Sequence, residues 1–323
     1  MQACLGRCIG ILALACAALP AVVHAQSWPT RSVRVVLPYP PGGPTDIVAR
    51  IVAQKLSDSL HQTFVVENRP GATGMMGSDV VAKARPDGYT LLVNASVHVI
   101  YRELFPGMSF DPSKDFAPVG LLAKGPLALV VTPALPAKTV PELVALAQVS
   151  PGKLTFASSG NGAATHLAAE AFKLAAGLDI RHIAYKGSAP ALADVAAGHV
   201  DLMFDSVASS RALVLGGKLR ALAVTSGKRS AAMPELPAIA ESVAGYDMTT
   251  WYGLWAPAGT PTDIVARLSQ HLNQALRSAD VHSRLNELGL EAAADTPEAF
   301  AAFQRDEHEK WGAIVRRAGV RPE

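Results

Sequence analysis

Beyond residue 16 the chain contains no cysteine: Cys4, Cys8 and Cys16 are the three present in 323 residues. All three lie in a segment expected to be removed. The mature protein is therefore without a disulfide framework, a thiol nucleophile or a Cys-based zinc site. Neither sign of charge is in excess. There are 29 basic and 27 acidic residues, a formal +2, and no basic block, which argues against a nucleic-acid partner. No apolar run is long enough to span a bilayer. Several catalytic fingerprints are missing as well. There is no Gly-x-Ser-x-Gly elbow, no His-Glu-x-x-His zinc motif and no Walker A loop, and Gly71-Ala72-Thr73-Gly74 lacks the spacing of a dinucleotide fingerprint.

The first 25 residues differ in kind from the rest. Arg7 supplies a positive n-region, residues 9–19 are apolar, and Val23-His24-Ala25 presents small residues where a signal peptidase reads. This predicts a secretory signal peptide cleaved before Gln26. Arg7 is the one charged residue removed, so the mature balance falls to +1, with 28 basic residues against 27 acidic.

What remains is long enough for two α/β domains. Strand-like runs alternate with helical patterns nearly throughout, which predicts a largely parallel sheet. The opening unit is the clearest. Val33 to Leu37 reads as a buried strand, and apolar residues at 47, 48, 51, 52 and 56 keep helical spacing. Between them stands Tyr39-Pro40-Pro41-Gly42-Gly43-Pro44-Thr45-Asp46. Gly42 and Gly43 free the backbone, Pro44 has no N–H to satisfy, and Thr45 or Asp46 can cap the helix. Two readings fit this stretch: a plain strand-to-helix connection with a good cap, or an anion site at a helix N-terminus. Pro44 to Arg50 recurs letter for letter as Pro261 to Arg267. The flanks do not match, so the copy reads as one capping solution used twice. The looser region 106–118 precedes a long strand expected at 126–133.

Further polar or Gly-rich turns follow strands at 94–96, 158–162, 185–188 and 205–206. In open α/β sheets ligands bind beyond the carboxyl ends of strands. Two lobes offering such turns could clasp a small molecule through backbone N–H groups, helix dipoles and the hydroxyls of Thr45, Ser96, Ser158, Ser159 and Thr165. Enzyme readings are poorer. Ser158 or Ser159 with nearby His166 would make a hydrolase only with an acid to orient the imidazole. Asp46 and Asp205 are explained by caps and ligand hydrogen bonds. His308 and Glu309 read as a solvated helix face, and Trp251, Tyr252 and Trp255 as core or hinge packing.

The stretches 38–50, 66–74, 84–93, 151–172, 185–192 and 251–261 resemble the Bug-type periplasmic receptors, the solute-binding subunits of tripartite tricarboxylate transporters. They read PYPPGGPTDIVAR, VENRPGATG, ARPDGYTLLV, PGKLTFASSGNGAATHLAAEAF, YKGSAPAL and WYGLWAPAGTP, and span nearly the whole mature chain in order. The resemblance implies a type II periplasmic-binding-protein fold, two α/β lobes joined by two crossing strands near 127–131 and 250–254. Lobe one would comprise 26–126 plus 251–323, and lobe two 127–250. A ligand carboxylate would be held by Tyr39, Gly42, Gly43, Pro44, Thr45 and Asp46 on one side. Ser158, Ser159, Gly160, Gly162, Thr165 and His166 would face them, with Tyr185, Lys186, Gly187 and Asp205 lining the cleft. The family usually has Thr where Ala238 stands, so that turn is given no ligand role. The implied protein is a monomeric periplasmic receptor, not an enzyme, with no cofactor and no metal. It would take a small carboxylated solute, an organic acid or amino acid, and deliver it to membrane permease subunits. A receptor that instead signals to a membrane sensor kinase is the alternative.

Overall fold

A computed structural model describes residues 28–231 and 233–321; the expected leader lies outside them. β1 (Val33–Leu37) leads through a Gly-Gly turn to α1 (Pro44–Leu60), then β2 (Phe64–Asn68), α2 (Met75–Ala82) and β3 (Thr90–Ala95). A 3-10 segment, Ser96–Ile100, and one helical turn, Tyr101–Leu104, precede the 16-residue β4 (Phe116–Val131). Next come α3 (Val140–Val149), β5 (Thr155–Ser158), α4 (Ala164–Ala176), β6 (Arg181–Ala184), α5 (Ser188–Ala197), β7 (Leu202–Ser206), α6 (Val207–Leu215) and β8 (Arg220–Val224). β9 (Thr249–Pro257), α7 (Thr262–Leu276), α8 (Ala279–Glu287), the two-residue β10 (Glu291–Ala292) and α9 (Pro297–Ala318) complete the described chain.

The strands lie in the order β2-β1-β3-β9-β4-β7-β5-β6, with β8 and β10 also pairing to β4. Parallel pairs occupy both ends: β1 with β2 and β3, and β5 with β6 and β7. The antiparallel centre is β3-β9-β4-β7. β4 divides the molecule. Its residues from Phe116 to Pro126 pair with β9, and those from Leu127 to Val131 pair with β7 and β8. Leu127 to Val131 are at most 3% exposed, as expected of a continuous apolar run covered on both faces. The chain thus changes pairing partners at Pro126–Leu127. It returns just before β9, where the Met248 N–H still donates to Thr225 O at 2.8 Å. The whole of β9 then belongs to the first lobe's sheet.

β4 starts ten residues before the strand expected from sequence, inside the region read as loose. Pro118 and Gly120 obscured it, and the register shifts between them, the usual accommodation for a proline in a ladder. Gly125 is set by close approach: a Cβ there would lie 2.5 Å from Gly289 O in the turn after α8.

α9 is anchored by polar contacts inside an apolar core. Glu307 Oε2 accepts from Trp251 Nε1 at 2.8 Å and Trp311 Nε1 at 2.6 Å, while Trp255 Nε1 donates to Gln304 Oε1 at 2.8 Å. Burying three tryptophans requires a partner for each indole N–H, and these three have one. His308 is partly exposed on the face expected to be solvated but is not free. Its Nδ1 donates to Val99 O at 2.7 Å and its ring faces Glu103, docking α9 on the 3-10 segment. Among the described residues no helix is long and apolar enough to cross a membrane.

Candidate functional site

The carboxyl ends of β1, β3, β5 and β7 bring their turns to one cleft between the lobes. Tyr39, Pro44, Thr45, Thr73, Ala95, Ser96 and Val97 form the first lobe's wall; Ser159, Ala163, Ala164, Thr165, Ser188, Asp205 and Ser206 form the second's. Leu127, Thr250 and Tyr252 close the base from the two crossing strands. The cavity measures about 180 Å³.

The first wall is built from the turn after β1. Gly42 takes φ +87°, a conformation that favours glycine. The N-cap of α1 is Gly43, and no side chain caps the helix. Neither Thr45 nor Asp46 caps, contrary to the expectation. The Asp46 carboxylate folds back instead, accepting from the Gly42 N–H (3.0 Å), Arg50 Nε (2.9 Å) and Asn68 Nδ2 (3.0 Å). Burial works against its ionisation, but the Arg50, Asn68 and Gly42 donors outweigh it and hold the carboxyl below its ordinary range. Asp46 therefore shapes the turn from behind and has no free face for a ligand. The second copy of the same heptad is used differently: α7 has Pro261 as N-cap and Asp263 is exposed.

The Tyr39 hydroxyl donates to Asn94 Oδ1 at 2.9 Å. Asn94 Nδ2 reaches Ser78 Oγ and Tyr101 OH, and the Tyr101 hydroxyl donates to Thr73 O at 3.1 Å. This buried network fixes three wall residues, Tyr39, Ala95 and Thr73, from behind.

The second wall is built from the turn after β5. The Ser159 N–H donates to Thr165 Oγ1 at 2.9 Å, and the two hydroxyls are 2.9 Å apart. The Gly162 N–H donates to His166 Nδ1 at 3.1 Å. His166 stacks on His182 with centroids 3.8 Å apart, and His182 Nε2 lies 2.7 Å from Ser158 Oγ. Burial first, and the neighbouring His166 second, lower the His182 pKa to about 4. The histidine beside Ser158 is thus His182, not His166. Ser158 is fully buried behind the cleft, and among the described residues no carboxylate hydrogen-bonds His182. Ser159 faces the cleft but bonds Thr165. No nucleophile–base–acid relay forms here.

Of the residues expected in the site, Tyr39, Pro44, Thr45, Ser96, Ser159, Thr165 and Asp205 line the cavity. Gly160, Tyr185 and Lys186 line an adjoining cavity of about 280 Å³. Gly42, Gly43, Asp46, Ser158, Gly162, His166 and Gly187 line neither. Sequence reasoning missed Thr73, Ser188, Ser206, Thr250 and Tyr252. Thr73 stood in the second Gly-rich turn, discounted for its spacing. Ser188 and Ser206 stood in turns that were noticed. Tyr252 is buried as packing predicts, and burial raises its pKa to about 12, yet its edge reaches the cavity.

The electrostatics point one way. α1, α4 and α5 meet the cleft with N-caps Gly43, Ala163 and Gly187 and no side-chain cap on any of them. Their first N–H groups and positive dipole ends are left for a bound group. Ser96 lines the cavity and is fully buried, and its Oγ has no hydrogen-bond partner, a state that needs an explanation in a folded protein. Asp205 is the one charged side chain on the wall. Burial pushes its carboxyl up, partly offset by Ser209, Ser188 and the Ser206 N–H; the Ser188 hydroxyl donates to Oδ1 at 2.7 Å and Ser209 to Oδ2. The arrangement can hold an anion of modest size by neutral donors and helix ends.

Comparison with known proteins gives a consistent answer. Residues 48–320 match the model of the tripartite tricarboxylate transporter family receptors. A protein from the tcbD–tcbE intergenic region of Pseudomonas sp. strain P51 is 41% identical over 292 residues, covering 90% of this chain and 87% of that one. Among solved structures, Rpa4515 of R. palustris with adipate superposes with a TM-score of 0.85 at 38% identity, covering 92% of this chain and all of that one. The periplasmic binding protein BugD gives a TM-score of 0.81 at 35% identity, with 92% and 100% coverage.

Proposed function

The chain belongs to the tripartite tricarboxylate transporter receptor family, a family of periplasmic solute-binding proteins, and on that premise we propose that it captures a small carboxylate-bearing solute in the interlobe cleft and delivers it to the permease subunits of a tripartite transporter. Lobe one is taken as 26–126 plus 251–323 and lobe two as 127–250, with residues 1–25 as the export signal. The solute carboxylate lies between the N-termini of α1 and α4, contacted by Thr45, Ser96, Ser159 and Thr165. The observation that carries the reading is Ser96: a buried hydroxyl without a partner, set on the cleft wall between uncapped helix ends. The similar protein solved with adipate supports a carboxylate ligand.

The test is a thermal-shift screen over mono-, di- and tricarboxylates, followed by calorimetry. A ligand at ~100 times its dissociation constant adds roughly 2.7 kcal/mol of stability. Ser96→Ala removes one hydrogen bond to a charged group, worth roughly 1.5–3 kcal/mol, and is expected to weaken binding roughly 10- to 150-fold. Unchanged affinity in Ser96→Ala rules out the site; no shift with any carboxylate rules out the ligand class. Co-purification with permease subunits tests delivery, and recovery of a sensor kinase in their place points to signalling.

A further inference from the structure

Two side chains of α4 hold the turn after β5 from behind. Thr165 accepts from the Ser159 N–H, and His166 Nδ1 accepts from the Gly162 N–H at 3.1 Å. A ring nitrogen that accepts carries no proton, so the neutral imidazole of His166 holds its hydrogen on Nε2. That nitrogen faces Glu170 Oε1 at 3.7 Å. A second proton can enter only at Nδ1, where it points at the Gly162 N–H. Charging this ring and keeping the bond are therefore mutually exclusive.

The surroundings decide which ring of the stacked pair takes a proton. His166 and His182 lie with centroids 3.8 Å apart, so two charged rings would repel at contact distance. His182 has Ser158 Oγ as its polar neighbour, and burial followed by His166 lowers its pKa to about 4. The carboxylate stands on the His166 side. Burial works against the ionisation of Glu170, but His166 and Lys173 outweigh it and hold its carboxyl below the ordinary value. Lys173 Nζ donates to Glu170 Oε1 at 2.8 Å. Charged groups on the elements packed against α4 are engaged elsewhere. Asp205 of β7 accepts from Ser188 and Ser209. On α9, Glu307 accepts from two indoles, His308 donates to Val99 O and Arg316 pairs with Glu103.

The bond to Gly162 stands where the two lobes meet. Ser159 and Thr165 on the same turn line the ligand cavity, and Leu104 of the first lobe abuts Gly162. In the free second lobe the ring can be charged at the expense of the bond. A solute on Ser159 and Thr165, with Leu104 against Gly162, fixes the turn in its bonded form. We propose that His166 is a positioning residue that holds the second wall only in its neutral form, so that protonation of this ring competes with solute binding and acid releases the solute. This rests on the receptor reading above and adds a pH control to it. The sign follows from linkage: the bound state disfavours the charged ring, so affinity is full above the ring's titration and falls below it. Attraction between a charged ring and an anion acts in the opposite direction, and Glu170 beside the ring offsets it.

The experiment is calorimetry on the full mature chain with adipate, malate and benzoate between about pH 8 and about pH 6, where imidazoles titrate. The affinity of the tightest binder is expected to fall roughly 2- to 12-fold toward acid, the worth of one neutral hydrogen bond. At the acid end, buffers of different ionisation enthalpy are expected to show net proton release on binding. His166→Leu has no acceptor and is expected to bind roughly 2- to 12-fold more weakly at the alkaline end. His166→Asn restores an acceptor that does not titrate and is expected to recover most of that loss. Both variants should lose the proton release, and titration of the acids themselves is common to all three proteins and cancels in the comparison. Equal affinity across the range, tighter binding in acid or proton uptake overturns the inference and leaves the receptor reading intact. So does a pH profile that persists in the variants. Should the variants fail to fold, the proton count on the unaltered protein decides alone. Failure of all three acids to bind at the alkaline end overturns the receptor reading, and the inference with it.

Discussion

Gly162 and Leu104 meet across the cleft. Gly162 lies in the second lobe's turn before α4; Leu104, 1% exposed, ends the first lobe's helical turn. A Cβ on Gly162 would lie 2.7 Å from Leu104 Cδ1 and 3.0 Å from Cδ2. Gly162→Ala carries two separable penalties. The first is the left-handed backbone, φ +73°, which costs an alanine roughly 1 kcal/mol. The turn's own hydrogen bond, from the Gly162 N–H to His166 Nδ1, lies within the second lobe, so this cost is expected to enter stability and not affinity. The second is the clash with Leu104, roughly 1–3 kcal/mol for an extra methyl in a packed contact. It falls only on the state in which the lobes touch. A penalty confined to the closed state reduces ligand affinity by the same free energy, roughly 5- to 150-fold. The assay is calorimetry with the carboxylate giving the largest thermal shift, beside urea unfolding of the ligand-free protein. Leu104→Ala deletes both methyls in the clash, so adding Gly162→Ala to that variant is expected to leave affinity nearly where Leu104→Ala alone sets it. Wild-type affinity in Gly162→Ala, or no relief in the double variant, refutes the idea that this contact forms on closure.

Two further substitutions test how the site is supported. Asp46→Ala removes the acceptor shared by the Gly42 N–H, Arg50 and one Asn68 N–H, while Asn68 keeps its bond to Tyr39 O, and is expected to cost about 0.5–1.5 kcal/mol. Since the folded carboxyl is held below its ordinary value, its contribution is complete above the unfolded pKa and fades as pH falls through the folded one. The difference in urea midpoint from the unaltered protein should be full at about pH 7 and shrink at about pH 3; a difference that grows in acid contradicts the assignment. Glu307→Ala leaves the indole N–H groups of Trp251 and Trp311 without their buried acceptor. It is expected to destabilise by about 2–5 kcal/mol, and Glu307→Gln, which keeps a carbonyl oxygen, by less; equal losses in both would assign the effect to charge and not to the acceptor.

The frame of the fold was legible because its strands are short, apolar and each bounded by turn residues. β1 starts where periodicity put it, and the turns expected after strands at 94–96, 158–162, 185–188 and 205–206 fall at the ends of β3, β5, β6 and β7. β4 was half missed because Pro118, Gly120 and Gly125 interrupt its pattern. Those residues answer to a register shift and to the close approach of Gly289 O, constraints that come from distant chain. The site was legible at the level of turns and not of side chains. Which residue of a turn faces the ligand depends on what holds it from behind. Asp46 looked like a cap and is consumed by Gly42, Arg50 and Asn68. Ser158 looked like a cleft hydroxyl and is consumed by His182. Thr73 was discounted on spacing, yet Tyr101, 28 residues on, turns its carbonyl inward and leaves its face on the cavity. Each of these outcomes involves a partner more than twenty residues along the chain, Asn68, His182 or Tyr101, which local patterning cannot supply.

The proposed capture of an anion predicts that closure of the lobes depends on solute. Each helix N-terminus acts as about +0.5 charge. Two such ends facing one another across ~8 Å at an effective dielectric of ~20 repel by roughly 0.5 kcal/mol. A carboxylate about 4 Å from each end gains roughly 2 kcal/mol per helix on the same scale. The sign of the electrostatic term for bringing α1 and α4 together therefore reverses when an anion lies between them. A side-chain cap on either helix would remove this effect by supplying the anion or acceptor internally. Asp46 stands in the first turn of α1 and could have served, but it is turned back into the loop by three donors. The same contacts that shape the turn keep the helix end open, so the lobes gain from closing only on a ligand that contacts both. A neutral amide analogue of the best carboxylate should then fail to close the protein. It fills the same volume without reversing that sign, and small-angle scattering should show the radius of gyration fall with the acid and stay fixed with the amide.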